Sequence, residues 1–153
     1  MIQAGSAAPE FTLPDQDGTK VSLADFRGRT VVLVFYPSDF SPVCTDQLSV
    51  YQEVLPQLEE AGAQLVGISV DGAFCHKAFQ QTQGLSLPLL ADFHPKGEVS
   101  KAYGVYSEDY GVAGRALVMV GPDGVVRWSY LSPPLEVPGA NLIFDALEQR
   151  TPA

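Results

Sequence analysis

Two short alternating segments, Phe11-Thr12-Leu13 and Val21-Ser22-Leu23, lie on either side of Asp15-Gln16-Asp17-Gly18. Alternation is the period of a half-buried strand and Asp-Gly is a tight-turn signal, so these residues predict a β-hairpin. The unbroken apolar run from Val31 to Tyr36 predicts a strand covered on both faces. Beyond Pro37, the residues Leu48, Tyr51, Val54, Leu55 and Leu58 fall on one helical face, and Pro56 is expected to kink that helix. A second buried strand is predicted from Gln64 to Val70, a helix from Ala73 to Gln83, and a short strand from Leu87 to Leu90 interrupted by Pro88. Arg115 to Val120 and Val125 to Tyr130 flank Gly121-Pro122-Asp123-Gly124, a second hairpin. A last helix runs from Asn141 to about Gln149, with Leu142, Ile143, Ala146 and Leu147 facing inward. Strands alternating with helices and closing in an antiparallel pair predict an α/β fold, a mixed central sheet with helices on both faces.

Composition narrows the picture. At 153 residues and 46% hydrophobic content the chain is long enough for one domain with a real core, residues 1–153, and too short for two ordinary ones. Its 14 Gly and 12 Pro fall between the apolar runs and pool in no linker. Nine basic against 18 acidic residues give a net charge of −9, a field that repels phosphate backbones and anionic membrane surfaces, so neither nucleic acid nor membrane is an expected partner. Met1 to Glu10 lacks the basic start and apolar stretch of a secretory signal, and no run approaches the roughly 20 apolar residues of a membrane span. A soluble, cytoplasmic protein is expected. Two cysteines, Cys44 and Cys75, are too few for a disulfide scaffold, so any redox role must come from their surroundings.

Ser41-Pro42 has the form of a helix start, a favoured N-cap followed by a proline whose missing N–H costs nothing at the first position. Cys44 then falls in the first helical turn, where unpaired N–H groups and the positive end of the helix dipole favour a thiolate. A nucleophilic cysteine is one reading, and a small buried hydrophobe at a strand end is the other.

The segment Phe35-Tyr36-Pro37-Ser38-Asp39-Phe40-Ser41-Pro42-Val43-Cys44 resembles the active-site segment of the peroxiredoxins, whose pattern is Pro-x-x-x-Thr/Ser-x-x-Cys. Gly111 to Val120 is similar to the family segment that carries an arginine at a strand start, and Ser69-Val70-Asp71, His76-Lys77-Ala78-Phe79 and Leu87 to Asp92 match further landmarks in order. The resemblance covers about Ala8 to Glu148 and is strongest to the group containing alkyl hydroperoxide reductase E and bacterioferritin comigratory protein. It implies a thioredoxin fold of the peroxiredoxin type with an added N-terminal hairpin. It also implies a thiol peroxidase with no metal or organic cofactor, acting on hydrogen peroxide and alkyl hydroperoxides and recycled by thioredoxin or a similar small dithiol. A homodimer with its contact near the Phe40 loop is implied as well. The Cys-x-x-Cys of thioredoxins is absent, because position 47 is Gln.

By resemblance Cys44 is the peroxidatic nucleophile, Arg115 the donor to thiolate and peroxide, Ser41 a hydroxyl that bonds the peroxide, and Pro37 a cover over the sulfur. Gln47 stands where many members carry Glu, Ser41 where most carry Thr, and Phe79 where many carry Trp. Gln47 is either a supporting residue or a plain first-turn helix residue. Cys75 is the internal candidate to resolve a Cys44 sulfenic acid, since both thiols follow strands expected to be parallel neighbours. A disulfide needs Cα atoms within about 7 Å, so local unwinding would have to accompany it. Resolution by an external thiol with Cys75 idle is the alternative. His76 and His94 lack thiolate-ligand spacing, which speaks against zinc. His76 is expected instead to hydrogen-bond. A non-catalytic peroxide sensor or interaction module remains the reading from another functional class.

Overall fold

The computed structural model describes Met1–Gln149. In chain order the elements are β1 (Thr12–Pro14), β2 (Lys20–Ser22), a 3₁₀ turn (Leu23–Phe26), β3 (Thr30–Phe35), α1 (Pro42–Glu53), α2 (Leu55–Glu60), β4 (Ala63–Ser69), α3 (Ala73–Gln83), β5 (Leu89–Ala91), α4 (Glu98–Ala102), β6 (Tyr106–Ser107), β7 (Val112–Ala113), β8 (Ala116–Val120), β9 (Val126–Leu131) and α5 (Ala140–Gln149). The central sheet has the order β5-β4-β3-β8-β9, with β3 parallel to β4 and antiparallel to β8. As expected, β1 and β2 form an antiparallel hairpin outside this sheet, and β8 and β9 form another within it.

The period of two in β3 sorts its side chains to opposite faces. Val32, Val34 and Tyr36 join Leu48, Tyr51, Leu58, Phe79 and Ile143 from α1, α2, α3 and α5. Val31, Leu33 and Phe35 join Phe11, Leu13 and Leu23 of the hairpin region, with Val99 and Tyr103 around α4. Both faces are therefore covered, which is why the whole strand is apolar. On the last helix Ile143, Ala146 and Leu147 are buried while Leu142 is only half-buried.

Two expectations about these elements need correction. The single kinked helix is two helices, parted at Val54, two residues ahead of Pro56. Pro56 has no N–H to offer the Gln52 carbonyl, which accepts from Val54 instead and closes α1 early. The strand predicted from Leu87 begins only at Leu89, past Pro88. Lacking an N–H, Pro88 stays outside the ladder, although its carbonyl accepts the Gly67 N–H at 2.9 Å. Neither α4 nor the 3₁₀ turn was anticipated. The five residues of α4 are too few to show a period, and they are held by a carboxylate from before the helix: Asp92 accepts from the N–H groups of Val99 at 3.0 Å and Ser100 at 2.9 Å.

The register that matters for function pairs Phe35 with Ile68 on one side and with Ala116 on the other. The end of β3, the end of β4 and the start of β8 are thus side by side. Residues that leave β3 toward α1, those that leave β4 toward α3, and Arg115 ahead of β8 all meet at one edge.

Candidate active site

Cys44 is fully buried in the first turn of α1, where Pro42 takes the first helical position. Arg115, also buried, reaches it from the neighbouring strand: its Nη1 donates to Cys44 Sγ at 3.3 Å and to Gln47 Oε1 at 2.7 Å. Its Nε donates to the Pro134 carbonyl at 3.0 Å, so the guanidinium plane is fixed from both ends. Gln47, one helical turn below Cys44 and fully buried, passes its own Nε2–H to Tyr51 Oη at 3.2 Å, and Tyr51 donates to the Pro138 carbonyl at 2.7 Å. Burial pushes the Tyr51 phenol up to about 12, against the opposing pull of Gln47 and the Arg115 charge, so it remains a neutral donor. The strand-to-helix segment Ser132–Gly139 is in this way tied to the cysteine by two backbone acceptors.

The predicted residues Cys44, Arg115 and Gln47 are thus brought into one hydrogen-bonded chain. Pro37 and Ser41 are half-buried in the loop that joins β3 to α1. The Ser41 side chain makes no cap hydrogen bond, contrary to expectation. The Ser41 carbonyl accepts the Thr45 N–H at 2.9 Å as the first bond of α1, and Pro42 at the first position removes one of the orphan donors of the helix start.

The same loop carries a second buried cluster that the sequence reading did not single out. Asp39 has a completely buried side chain, and its Oδ1 accepts from the Tyr36 hydroxyl at 2.6 Å while its Oδ2 lies 2.7 Å from His76 Nδ1. His76 Nε2 faces the Leu90 carbonyl at 3.0 Å. A carbonyl can only accept, so the contact at Nε2 is that of a ring N–H donor. The expected hydrogen-bonding role of His76 is therefore met at both ring nitrogens. Asp39 is anchored from the backbone as well, its N–H donating to Asp71 Oδ2 at 2.9 Å. The Tyr36 ring fits against β4 because position 67 is glycine: a Cβ there would lie 3.1 Å from Tyr36 Cε1 and 2.8 Å from Leu89 Cδ2. Burial, with the Asp39 charge behind it, raises the Tyr36 phenol well above its ordinary range. The one available signal for this cluster was an Asp inside the loop motif and a His thirty-odd residues on; no spacing rule links them, because the contact depends on β3 and β4 being neighbours.

Cys75, half-buried in the first turn of α3, lies by the far side of that cluster. Donor atoms of Asp39, Asp71 and Cys75 are within 4.8 Å of one another. Burial raises the Cys75 thiol to about 11, and the negative charges of Asp39 and Asp71 push the same way. Both cysteines are free thiols in this structure. In the loop ahead of α1, Phe40 has φ +67°, the one positive value at a non-glycine among the described residues, and its ring packs edge-on against Phe79 of α3 at 5.1 Å. A left-handed Phe is strained by about 1 kcal/mol or more, which the surrounding contacts must hold.

The geometry is that of a buried thiol under an arginine fork, on a helix start after a central strand. The AhpC/TSA family matches residues 4–129. The chain belongs to the AhpC/TSA family. It is a peroxiredoxin, and so one of the peroxide-reducing oxidoreductases. Alkyl hydroperoxide reductase E of Mycobacterium tuberculosis is 38% identical over 152 residues, covering 99% of both chains. Among solved structures, Enterococcus faecalis AhpC superposes with a TM-score of 0.90 at 29% identity, over 98% of this chain and 93% of that one. The peroxidoxin BcpB of Mycobacterium tuberculosis does so with a TM-score of 0.89 at 26% identity, over 99% of this chain and all of that one. The peroxiredoxin form of the thioredoxin fold expected from the loop motif is therefore the fold of this chain. Among the described residues no helix is long and apolar enough to cross a membrane.

Proposed function

We propose that this peroxiredoxin reduces hydrogen peroxide and alkyl hydroperoxides through a sulfenic acid formed at Cys44. The observation that carries this reading is the Arg115 guanidinium held 3.3 Å from the buried Cys44 sulfur. The thiolate sulfur attacks one peroxide oxygen, an S–O bond forms, the O–O bond breaks, and the departing oxygen leaves with the electron pair and takes up a proton. Charge develops on that oxygen, and a preorganised guanidinium in a buried site stabilises it without having to reorganise. Ser41, its hydroxyl not engaged in capping, is the second donor to the peroxide, and Pro37 shields the sulfur from water.

An external thiol resolves the sulfenic acid. It attacks the Cys44 sulfur, water leaves, and the mixed disulfide is reduced by a second thiol of a thioredoxin-like dithiol. Cys75 is the weaker candidate because burial and two carboxylates keep it in the thiol form, whereas the thiolate is the attacking species. No metal or organic cofactor takes part. The active form is a homodimer. Phe40, Phe74 and Phe93, which follow β3, β4 and β5 at one end of the sheet, are 48%, 94% and 61% exposed, and a second copy would cover them.

The test is intact mass and thiol count after one equivalent of hydrogen peroxide, followed by turnover with a thioredoxin system. One added oxygen, trappable at Cys44 with Cys75 free, and sustained turnover are expected. Loss of both thiols within one chain would make Cys75 the resolving residue. Oxidation without turnover would favour a peroxide sensor.

A further inference from the structure

Asp39 lies in the middle of the loop from Pro37 to Ser41 and is the one residue of that loop that is fully buried. Three elements hold it from outside. Tyr36, just past β3, donates its hydroxyl to Oδ1 at 2.6 Å; Asp71, just past β4, accepts its N–H at 2.9 Å; and His76 Nδ1 of α3 lies 2.7 Å from Oδ2. The His76 ring is held in turn, since its Nε2 meets the Leu90 carbonyl of β5 at 3.0 Å. A carboxylate and an imidazole taken out of water return little net stability, because desolvation offsets their attraction. Directional bonds to both carboxylate oxygens return geometry instead, fixing where Asp39 sits and how its plane is turned. The next residue, Phe40, is left-handed at φ +67°, and Pro42, just beyond Ser41, already belongs to α1. Phe79, one turn along α3 from His76, receives the Phe40 ring at 5.1 Å, so one helix holds both loop residues. Ser41 is thus suspended between a bolted segment and a helix start, with its hydroxyl not used as a cap.

We propose that Asp39 and His76 are positioning residues for the peroxide step: the pair pins the chain ahead of Phe40 so that the Ser41 hydroxyl is held ready to donate to a peroxide over Cys44. This inference rests on the reading of Ser41 as the second donor to the peroxide. The hydrogen-bond donor to the Cys44 sulfur is Arg115, not His76, so the pair acts on the peroxide through the loop and not on the thiol. Placement of this kind carries weight because a misplacement of about 1 Å costs on the order of 100-fold in rate. Released from His76, the loop is free to relieve the left-handed Phe40, and Ser41 turns with it.

The experiment measures two reactions of Cys44 in the full reduced chain: its second-order oxidation by hydrogen peroxide, and the pH midpoint of its alkylation by iodoacetamide, followed by peptide mass. His76→Phe keeps a ring and offers no nitrogen. It is expected to slow oxidation on the order of tenfold to 100-fold while leaving the alkylation midpoint in place, whereas a general loosening of the fold would move both. In a Ser41→Ala background the same change should cost far less, because the hydroxyl that the pair positions is gone. Tyr36→Phe removes only the donor to Asp39 Oδ1, and its few-fold loss of rate should likewise vanish with Ser41→Ala; this cycle decides the matter where His76→Phe does not fold. Unchanged oxidation in these variants, losses that simply add to that of Ser41→Ala, or an alkylation midpoint that shifts along with the rate would overturn the inference. A wild-type Cys44 that peroxide does not oxidise would overturn the peroxidase reading, and the inference with it.

Discussion

The two cysteines stand in opposite electrostatic surroundings although each occupies the first turn of a helix that follows one of two adjacent parallel strands. Cys44 meets a buried cation, a neutral amide and the N–H groups of its helix start. Cys75 meets the carboxylates of Asp39 and Asp71, which add to burial in pushing its thiol up to about 11. Position on a helix N-terminus is therefore not enough to activate a thiol. At Cys75 burial first, and then the charges of the two carboxylates, outweigh the half-charge of the helix dipole.

The largest effect that can break this comparison is Cys44→Ser, which should abolish peroxide turnover while Cys75→Ser leaves most of it; peroxide consumption with a thioredoxin system measures both. Next, Arg115→Ala should slow the peroxide step by roughly 100-fold to 1,000-fold, the size of effect seen when a preorganised donor is removed, and stopped-flow kinetics at varied peroxide would report it. Smaller still, Asp71→Asn should speed alkylation of Cys75 by a few-fold at neutral pH, since a carboxylate charge opposing thiolate formation is gone. If the alkylation rate is unchanged, the carboxylates are not what holds Cys75 as a thiol.

Stability offers a quieter version of the same contrast. Cys75 has its pKa raised on folding, from an ordinary 9.0 to about 11, so the folded state holds the proton where the unfolded state has released it. Its contribution is fully present below about pH 9 and is lost as pH rises through 11, and Cys75→Ala should flatten that alkaline limb in urea unfolding. The smallest effect belongs to Ser41→Ala. Its hydroxyl caps nothing, so the folding stability read from urea unfolding should stay within about 0.5 kcal/mol of wild type, while the peroxide rate falls.

What could be read along the chain follows a physical division. β3, β4, α3 and the β8–β9 hairpin were legible because each is a local apolar run or pattern bounded by turn residues, and Cys44 was legible because Ser41-Pro42 fixes where its helix starts. Gln47 and Arg115 were found through the motif, but their contact is not a property of either segment; it requires the pairing of Phe35 with Ala116. The contact of Asp39 with His76 escaped for the same reason, since it depends on the pairing of β3 with β4, although His76 was read as a hydrogen-bonding residue. The break at Val54 and the short α4 were set by a proline without an N–H and by a carboxylate borrowed from upstream, neither of which leaves a periodic trace. Ser41 was read as a cap from residue preference alone; it does take the N-cap position, but its side chain makes no cap hydrogen bond.

The pairing of β3 with β8 also says which accidents of inheritance this protein can survive. Side chains in a strand alternate between faces, so deleting a single residue ahead of Phe35 or at the start of β8 would turn the cysteine loop or Arg115 toward the wrong layer without removing either from the sequence. The turn at Gly121–Gly124, at the far end of β8, is fixed as well: the Pro122 and Gly124 carbonyls accept from the N–H groups of Gly28 and Ala8, and the Asp123 carbonyl from Arg27 Nη1. A gene that gained or lost a codon there would disturb the packing of Ala8 and Arg27 on that turn, while one that slipped a codon within the strands would keep every reactive group and lose the reaction.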